Sequence, residues 1–455
     1  MSFLVTVFWF LVTLAILIPI HEYGHYRVAK ACGVKVLRFS IGFGNVVWSR
    51  RFGRDQTEFA LSMIPLGGYV KMLDEREGAV DAAELPRAFG RRPLYQRALI
   101  VAAGPAANLV LAIALYGFVQ WYGVDLPTPV VGAPPAGSVM ADAGLQRGDR
   151  IVATAQGADA GDDDFQPVRS WDDVQRAVGG ALVEREPLQL RVQREGGANV
   201  RTLTAALDSI DPFNAPKPGA KPLGLTPVAR IGTILPDGAA ASSELRQGDL
   251  VLRIDGKPVD DAYGVRAAIE ASGAGGKPRT MSWEVDRAGR TLTFPVTARM
   301  DTTDGTPVAR AGIGFQREVV RAPALEALGL GAGQAWREAK QSLHVFGLIL
   351  TGKVSTKAIG GPGTIAVAAS AAAHQGFTSF LTLLAQVSLA LAVLNLLPIP
   401  LLDGGMLLYY LFEGATGRPV SELWQLWLQR GGALILLLLM TLALSNDAVR
   451  FLGLQ

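Results

Sequence analysis

Four long stretches of this 455-residue chain carry no charged side chain. They cover residues 3–20, 98–124, 377–402 and 431–444, and the last extends outward through its flanks. A helix needs about 20 mostly apolar residues to cross the hydrocarbon core of a bilayer. The pattern therefore predicts four membrane-spanning helices, which we assign to residues 1–30, 97–124, 377–412 and 428–447.

The segment between the first two spans, residues 31–96, alternates between apolar and polar positions. The alternation is clearest at 34–41 and 57–63, and a period of two is typical of β-strands. Glycine-containing turns at 42–44 and 65–69 interrupt it. This much apolar sequence between membrane helices predicts a membrane-associated β-rich loop, whose irregular backbone needs protein or a water-filled cavity around it.

An internal repeat lies in the long section that follows the second span. Residues 144–152 and 244–252 share a leucine, a Gly-Asp pair and the apolar positions after it. The second copy continues as an alternating strand into Asp255-Gly256, a strong hairpin signal, whereas the first has a Gly- and Asp-rich insertion at 157–164. A repeat of this length predicts two small α+β domains, at 125–210 and 220–300.

The section from 320 to 373 contains a further apolar run at 343–350. This run is too short to cross a bilayer, and Trp336 and Arg337 lie at its start. We interpret the section as an amphipathic helical segment at the membrane interface.

Basic residues predict the orientation. Residues 26–97 contain thirteen Lys or Arg and seven Asp or Glu, and many of the basic residues lie close to the two spans. The positive-inside rule places this segment in the cytoplasm. Both termini and the repeat section are then expected outside. The first span lacks a basic region before it and continues directly into residues 21–25, so we expect it to be retained rather than cleaved.

Overall composition excludes several classes of protein. The net charge is only +3, which gives no indication of nucleic-acid binding. Cys32 is the only cysteine, so neither a disulfide framework nor a cysteine-rich zinc finger can form. We interpret Cys32 as a small buried residue.

The chemistry starts at residues 21–25, which read H-E-Y-G-H. On a helix His21 and His25 share one face and can bind the same metal ion, while Glu22 lies beside them as a candidate general base. This pattern is typical of zinc hydrolases. Here it follows an apolar span, which places the metal inside the membrane.

Two histidines leave zinc short of a protein ligand. Asp403 is the stronger candidate for the third ligand, because it follows an apolar span broken by two prolines and an ionisable group at that depth usually has a partner. Glu58 is an alternative ligand, and a helix cap is the alternative role for Asp403. Asn108 is interpreted as an interhelical contact, and Asn395 either as a helix contact or as a group that binds an extended peptide.

These motifs together resemble the site-2 protease family of intramembrane zinc metalloproteases, peptidase family M50. The resemblance extends over essentially the whole chain, and its motifs lie at 21–25 (H-E-Y-G-H), 42–44 (G-F-G), 65–72 (P-L-G-G-Y-V-K-M), 104–108 (G-P-A-A-N) and 395–405 (N-L-L-P-I-P-L-L-D-G-G). The two repeat domains resemble bacterial PDZ domains. With them, the chain is similar to the members of the family that regulate sigma-E in Gram-negative inner membranes.

The resemblance implies one Zn²⁺ per chain, and it implies roles for particular residues. The implied zinc ligands are His21, His25 and Asp403. The implied general base is Glu22. The implied contacts to substrate are Asn395, Gly42, Phe43 and Gly44.

The implied function is hydrolysis of a peptide bond within the membrane segment of a single-span protein after a first protease has cut it. Expected substrates are an anti-sigma factor and remnant signal peptides. PDZ domains bind an extended peptide or a C-terminus, and residues 223–225 and 312–315 are candidate binding loops, although such glycine-rich segments are often simple turns. The expected location is the bacterial inner membrane, with the PDZ pair and both termini in the periplasm and the site toward the cytoplasm.

Two other functions fit parts of the sequence. One is a catalytically inactive PDZ scaffold in the membrane, and the other is a zinc transporter. Glu22 favours the protease, because it has no role in metal ligation or transport. A transporter would also need ligands across the whole membrane, whereas here they cluster at one end.

Overall fold

The computed structural model describes residues 3–76, 78–194, 197, 199–208, 210, 221–301, 307–351 and 360–451. The chain forms two compact units. One contains Met1–Gly123 and Arg321–Gln455, and the other contains Val124–Val320.

The described residues form ten α-helices, and four short 3-10 turns lie between them and the strands. The helices are α1 (Phe3–Ala31), α2 (Leu94–Tyr122), α3 (Val139–Asp142), α4 (Trp171–Glu184), α5 (Ala262–Ser272), α6 (Ala324–Leu350), α7 (Pro362–Gln375), α8 (Phe377–Leu396), α9 (Asp403–Thr416) and α10 (Glu422–Phe451).

The strands of the first half of the chain are β1 (Val36–Phe52), β2 (Thr57–Met72), β3 (Val124–Pro127), β4 (Asp149–Gln156), β5 (Gln166–Pro167), β6 (Leu188–Arg194) and β7 (Val200–Ala205). The remaining strands are β8 (Ile231–Ile234), β9 (Leu250–Ile254), β10 (Lys257–Pro258), β11 (Thr280–Arg287), β12 (Arg290–Thr297), β13 (Arg299–Asp301), β14 (Val308–Arg310), β15 (Ile313–Phe315) and β16 (Arg317–Val320).

Among the described residues, four helices are long and apolar enough to cross a membrane, as the hydrophobic pattern predicts. They comprise α1, α2, α8 and the section Leu423–Val449 of α10. The third span is shorter than the predicted 377–412, because α8 ends at Leu396 and Asp403 begins the separate helix α9. Pro398 and Pro400 lie in the break between these two helices. Proline has no backbone N–H to donate to a helical hydrogen bond, and it therefore interrupts a helix.

Helix α6 packs along α2. A methyl group on Gly331 would lie 2.5 Å from the backbone nitrogen of Gly117, so the two backbones meet at a glycine pair. Beside it, the buried hydroxyl of Tyr116 donates to Glu338, and Gln334 donates to the other oxygen of the same carboxylate. Residues 352–359, within the predicted interfacial segment, lie outside the described residues. The interfacial position of α6 and α7 stays a prediction.

Residues 31–96 contain the predicted strands. In the β1–β2 sheet, residues 58–61 pair on one side with 38–41 and on the other with 48–51, and residues 68–72 lie along the opposite edge of 36–41. Such double pairing requires sharp turns of the backbone, and Gly42 and Gly44 have φ values of 90° and 84°, which favour glycine. Cys32 is partly buried and packs with this part of the protein.

The second unit contains two four-stranded sheets with the same arrangement. One has the order β5-β4-β6-β7 and the other β10-β9-β11-β12, and each is covered by one helix, α4 or α5. In the second copy, Asp255 and Gly256 form the predicted hairpin turn, with φ values of 52° and 75°. Residues 195, 196, 198 and 209 of the predicted first domain, and residue 220 of the second, lie outside the described residues.

The Gly-Asp pair of each repeat serves the same structural purpose. Asp149 and Asp249 are buried, and each accepts a hydrogen bond from the backbone N–H three residues earlier. Arginines from the neighbouring hairpins pair with both: Arg194 and Arg201 with Asp149, and Arg287 with Asp249. In each repeat, the loop before the strand is therefore stabilised by a buried aspartate whose carboxylate is fully paired.

Candidate metal centre

Helices α1 and α2 approach each other at glycines beside His21 and His25. A methyl group on Gly24 of α1 would lie 2.9 Å from the carbonyl carbon of Ala103. One on Gly104 of α2 would lie 2.6 Å from Cε1 of His25 and 2.8 Å from Cε1 of His21. The absence of a side chain at these positions allows the backbone of α2 to lie directly against the two imidazole rings.

His21, His25 and Asp403 form a compact cluster of donor atoms. The Nε2 atoms of the two histidines are 3.2 Å apart, and they lie 3.3 Å (His21) and 3.5 Å (His25) from Oδ2 of Asp403. Among the described residues, this is the only group of three or more His, Cys, Asp or Glu side chains that could hold a metal ion. The two histidines are close in sequence, whereas Asp403 comes from the far end of the chain.

The cluster has the size that zinc requires. Zinc bonds of about 2.0–2.1 Å in a tetrahedral arrangement separate the donor atoms by about 3.3–3.4 Å. The three observed separations lie on either side of this value. Nδ1 of His25 donates to the carbonyl of Ile100 at 2.8 Å, which leaves the lone pair of Nε2 directed at the cluster. The donor set and its geometry therefore fit one zinc ion with a fourth position open.

The segment before α9 brings Asp403 to this position. Leu401 has a φ of 86°, and the chain then turns sharply into the helix. A methyl group on Gly404 would lie 2.5 Å from the carbonyl carbon of Leu396, and one on Gly405 would lie 2.8 Å from that of Ile399. The two glycines after Asp403 therefore allow the start of α9 to fold back against the end of α8.

Glu22 lies between the cluster and the β1–β2 sheet. It follows His21 on α1 and is partly buried. A methyl group on Gly68 of β2 would come within 2.8 Å of Cγ of Glu22 and within 2.8 Å of the carbonyl oxygen of Ser40. The tight fit at Gly68 holds this part of the sheet beside the carboxylate.

The sharp turn within β1 at residues 42–44, called the loop below, covers the same region of the sheet. Phe43 stacks on Tyr69 with ring centroids 6.3 Å apart, and one atom of its ring would lie 2.7 Å from a methyl group on Gly67. Its side chain is 44% exposed. The three loop residues are thus adjacent to the segment that contacts Glu22, although they are distant from it in sequence.

Asn395 and Glu58 do not join the cluster. Asn395 lies in the last turn of α8, partly buried, and its amide makes no hydrogen bond to the described residues. Glu58 lies on β2, and its Oε2 accepts hydrogen bonds of 2.8 Å from Arg38. These bonds hold the pKa of Glu58 below its usual range. The alternative of Glu58 as third ligand is therefore not supported.

Asn108 is the group whose position the sequence interpretation missed. Its interpretation as an interhelical contact is confirmed, because its backbone carbonyl accepts a hydrogen bond of 2.8 Å from Ser388 of α8. The sequence did not indicate that its side chain lies beside His21 of α1. The available signal was its spacing of four residues from Gly104.

Comparisons with known proteins show the family of this chain. The sequence model of peptidase family M50 matches residues 9–439. The chain belongs to this family. It is a zinc metalloprotease of the membrane, as the motifs at residues 21–25 and 395–405 predict.

Similar proteins come from several bacteria. The chain is 40% identical to "Putative zinc metalloprotease RSc1411" of Ralstonia nicotianae, over 98% of this chain and 99% of that protein. It is 38% identical to "Putative zinc metalloprotease NMA0084" of Neisseria meningitidis, over 98% of this chain and 100% of that protein. It is 34% identical to "Regulator of sigma-E protease RseP" of Escherichia coli, over 99% of this chain and 100% of that protein.

Proposed function

We propose that His21, His25 and Asp403 bind the zinc ion and that Glu22 acts as the general base in cleavage of a peptide bond inside the bilayer. The separation of the three donor atoms, 3.2–3.5 Å, carries this proposal, because it matches the edge of a zinc tetrahedron. A hydrogen-bonded cluster without metal is less favourable, because neutral His25 carries its proton on Nδ1 and its Nε2 then faces the carboxylate of Asp403 at 3.5 Å as a second acceptor.

The chemistry of the site follows from the positions of its side chains. Zinc, when bound, supplies a Lewis acid for the scissile carbonyl and makes a neighbouring water more acidic. Glu22 adjoins the metal ligands and takes the proton from this water. It then gives the proton to the leaving amine. Gly68 packs closely against Glu22 and leaves no room for a bulkier side chain, which limits the positions that the carboxylate of Glu22 can take.

A substrate helix must unwind before its peptide bond is accessible, because helical hydrogen bonds shield the backbone. We propose that the unwound segment pairs with an edge of the β1–β2 sheet near Gly42, Phe43 and Gly44. The exposed ring of Phe43 and the adjacency of its loop to Gly67 support this position. Asn395 is proposed to bind the backbone of the same segment from α8.

The finer properties follow from the family and from the charge pattern. We propose that the protein lies in the bacterial inner membrane with the basic segment 26–97 in the cytoplasm. Its substrates are proposed to be single-span proteins already cut by another protease, such as an anti-sigma factor, and remnant signal peptides. The E. coli relative named as a regulator of sigma-E supports this substrate class.

We further propose that the two repeat domains of the second unit are PDZ domains. Four-stranded sheets covered by one helix support this assignment. Strand β15, within the candidate loop at 312–315, pairs with β8. In the other candidate loop, at 223–225, the backbone carbonyl of Leu223 accepts a hydrogen bond from the backbone N–H of Met140. The pair is proposed to reject substrates whose outer parts are intact.

The test uses the full-length protein, reconstituted in liposomes with a single-span substrate. Glu22→Gln should lower the cleavage rate by about 100-fold or more, because a general base contributes about that much. The variant should keep one zinc ion per chain. Asp403→Ala should lose zinc and activity together.

Glu58→Ala is the matched control, because it also removes one carboxylate from the same unit. The carboxylate of Glu58 is paired with Arg38 and is not part of the cluster. It should keep both zinc and activity. Continued cleavage by Glu22→Gln would refute the assigned base. Movement of zinc across the liposome membrane would favour the transporter instead.

A further inference from the structure

A buried amide inside the membrane lies next to one of the proposed zinc ligands. Asn108 is fully buried, and its Nδ2 lies 3.5 Å from Nδ1 of His21. Its Oδ1 is also buried and has no hydrogen-bond partner among the described residues. A buried polar atom without a partner costs about 1–3 kcal/mol, so the position of this amide needs an explanation.

Helix α2 presents one polar group to each histidine. Ile100, Gly104 and Asn108 are spaced by four residues and therefore lie on one face of α2. The carbonyl of Ile100 accepts the hydrogen bond from Nδ1 of His25. Gly104 lies against both rings, and Asn108 reaches Nδ1 of His21. His25 thus has an oxygen partner at Nδ1, and the amide of Asn108 occupies the corresponding place for His21.

The chemistry of the imidazole decides which atom of the amide must face it. A neutral histidine that binds a metal through Nε2 carries its proton on Nδ1 and donates it to a second group. An amide NH₂ group cannot accept this bond, but an amide oxygen can. A half-turn about the Cβ–Cγ bond of Asn108 exchanges its two terminal atoms within the same volume. It replaces a donor–donor contact by a hydrogen bond to His21, and the amide nitrogen then takes the buried place that Oδ1 had.

We infer that Asn108 is the positioning residue of His21: its Oδ1 accepts the Nδ1–H of His21 and holds the ring with Nε2 toward the metal. The inference rests on the proposed zinc ligands. Loss of such a partner typically lowers metal affinity 10- to 100-fold.

The experiment measures the zinc dissociation constant of the purified full-length protein by competition with a chelator. Asn108→Leu has a similar volume but no acceptor, and it should bind zinc 10- to 100-fold more weakly. Asn108→Asp restores an oxygen at the same place and should return the affinity to within about threefold of the original, since carboxylates commonly accept this bond.

Ser388→Ala is the matched structural control. It removes the hydrogen bond from α8 to the backbone carbonyl of Asn108 and leaves the amide in place. If Asn108 only joined helices, Ser388→Ala and Asn108→Leu would have similar effects on zinc. We expect Ser388→Ala to leave the zinc affinity unchanged.

Two outcomes overturn the inference without affecting the zinc site itself. Either Asn108→Leu binds zinc as tightly as the original protein while His21→Ala does not, or Asn108→Asp loses as much affinity as Asn108→Leu. Tight zinc binding by His21→Ala would instead refute the proposed ligands. If Asn108→Leu does not fold, Asn108→Ser carries the test, because its hydroxyl is too short to reach the ring; unchanged affinity in this variant also overturns the inference.

Discussion

Substitution of Gly104 by alanine should damage the metal site while adding only one methyl group. The methyl would lie 2.6 Å from Cε1 of His25 and 2.8 Å from Cε1 of His21. Carbon atoms in contact are normally about 3.5–4.0 Å apart. One ring or the backbone of α2 must therefore move by about 1 Å to make room.

A movement of this size is large for a metal site. Ligand distances in such sites vary by only about 0.2 Å, and overpacking a tight interior costs about 1–3 kcal/mol. At 1.4 kcal/mol for each factor of ten, zinc should bind about 5- to 150-fold more weakly. Alanine is a better helix former than glycine by up to about 1 kcal/mol, so helix propensity does not add to the loss.

The assay is competition for zinc between the purified protein and a chelator, with cleavage of a membrane substrate measured beside it. Gly117→Ala is the control, because it changes the same helix and its methyl would meet Leu328 at 3.2 Å, away from the site. It should bind zinc normally. If Gly104→Ala binds zinc as tightly as the original protein, the close approach of α2 to the imidazole rings is wrong.

Two other substitutions test separate parts of the molecule. Gly68→Ala should lower cleavage by about 100-fold but retain zinc, because the added methyl displaces Glu22 and not the ligands; loss of zinc would contradict this separation. Asp249→Asn should destabilise the second unit by about 1–3 kcal/mol at neutral pH, measured by thermal unfolding. Burial by itself would raise the pKa of Asp249, but hydrogen bonds from Arg287 and from the amide of Arg246 outweigh it and hold this pKa below its usual range. The carboxylate therefore contributes stability above its unfolded pKa of about 3.9, and this contribution is lost as the pH falls through the folded pKa, so the difference between the two proteins should shrink in acid.

Local patterns were sufficient for several elements of this protein. Apolar stretches of helix-spanning length predicted the four spans, because a bilayer imposes both length and composition on a helix. Alternation predicted β1 and β2, and the Asp-Gly pair at 255–256 predicted a hairpin, because side-chain periodicity and turn preferences act over a few residues. The helical spacing of His21 and His25 likewise placed both rings on one face without any tertiary information.

The break before Asp403 shows the limit of such patterns. Lack of charge continues to Leu402 and the predicted third span extends to 412, whereas α8 ends at Leu396. The two prolines indicated an interruption, but the angle of the chain beyond it depends on how closely Gly404 packs against the end of α8. Packing of this kind involves particular atoms and cannot be read from composition.

The sequence by itself indicated the class of the protein, the number of its spans and the chemical types of the proposed metal ligands, because these depend on composition and on spacing within single helices. Only the tertiary structure brought Asp403 and not Glu58 to the two histidines, placed Gly68 against Glu22 and brought Asn108 to His21. Those relations join segments far apart in the chain, and they exist because glycines at the contacts allow backbones to approach within the reach of a hydrogen bond.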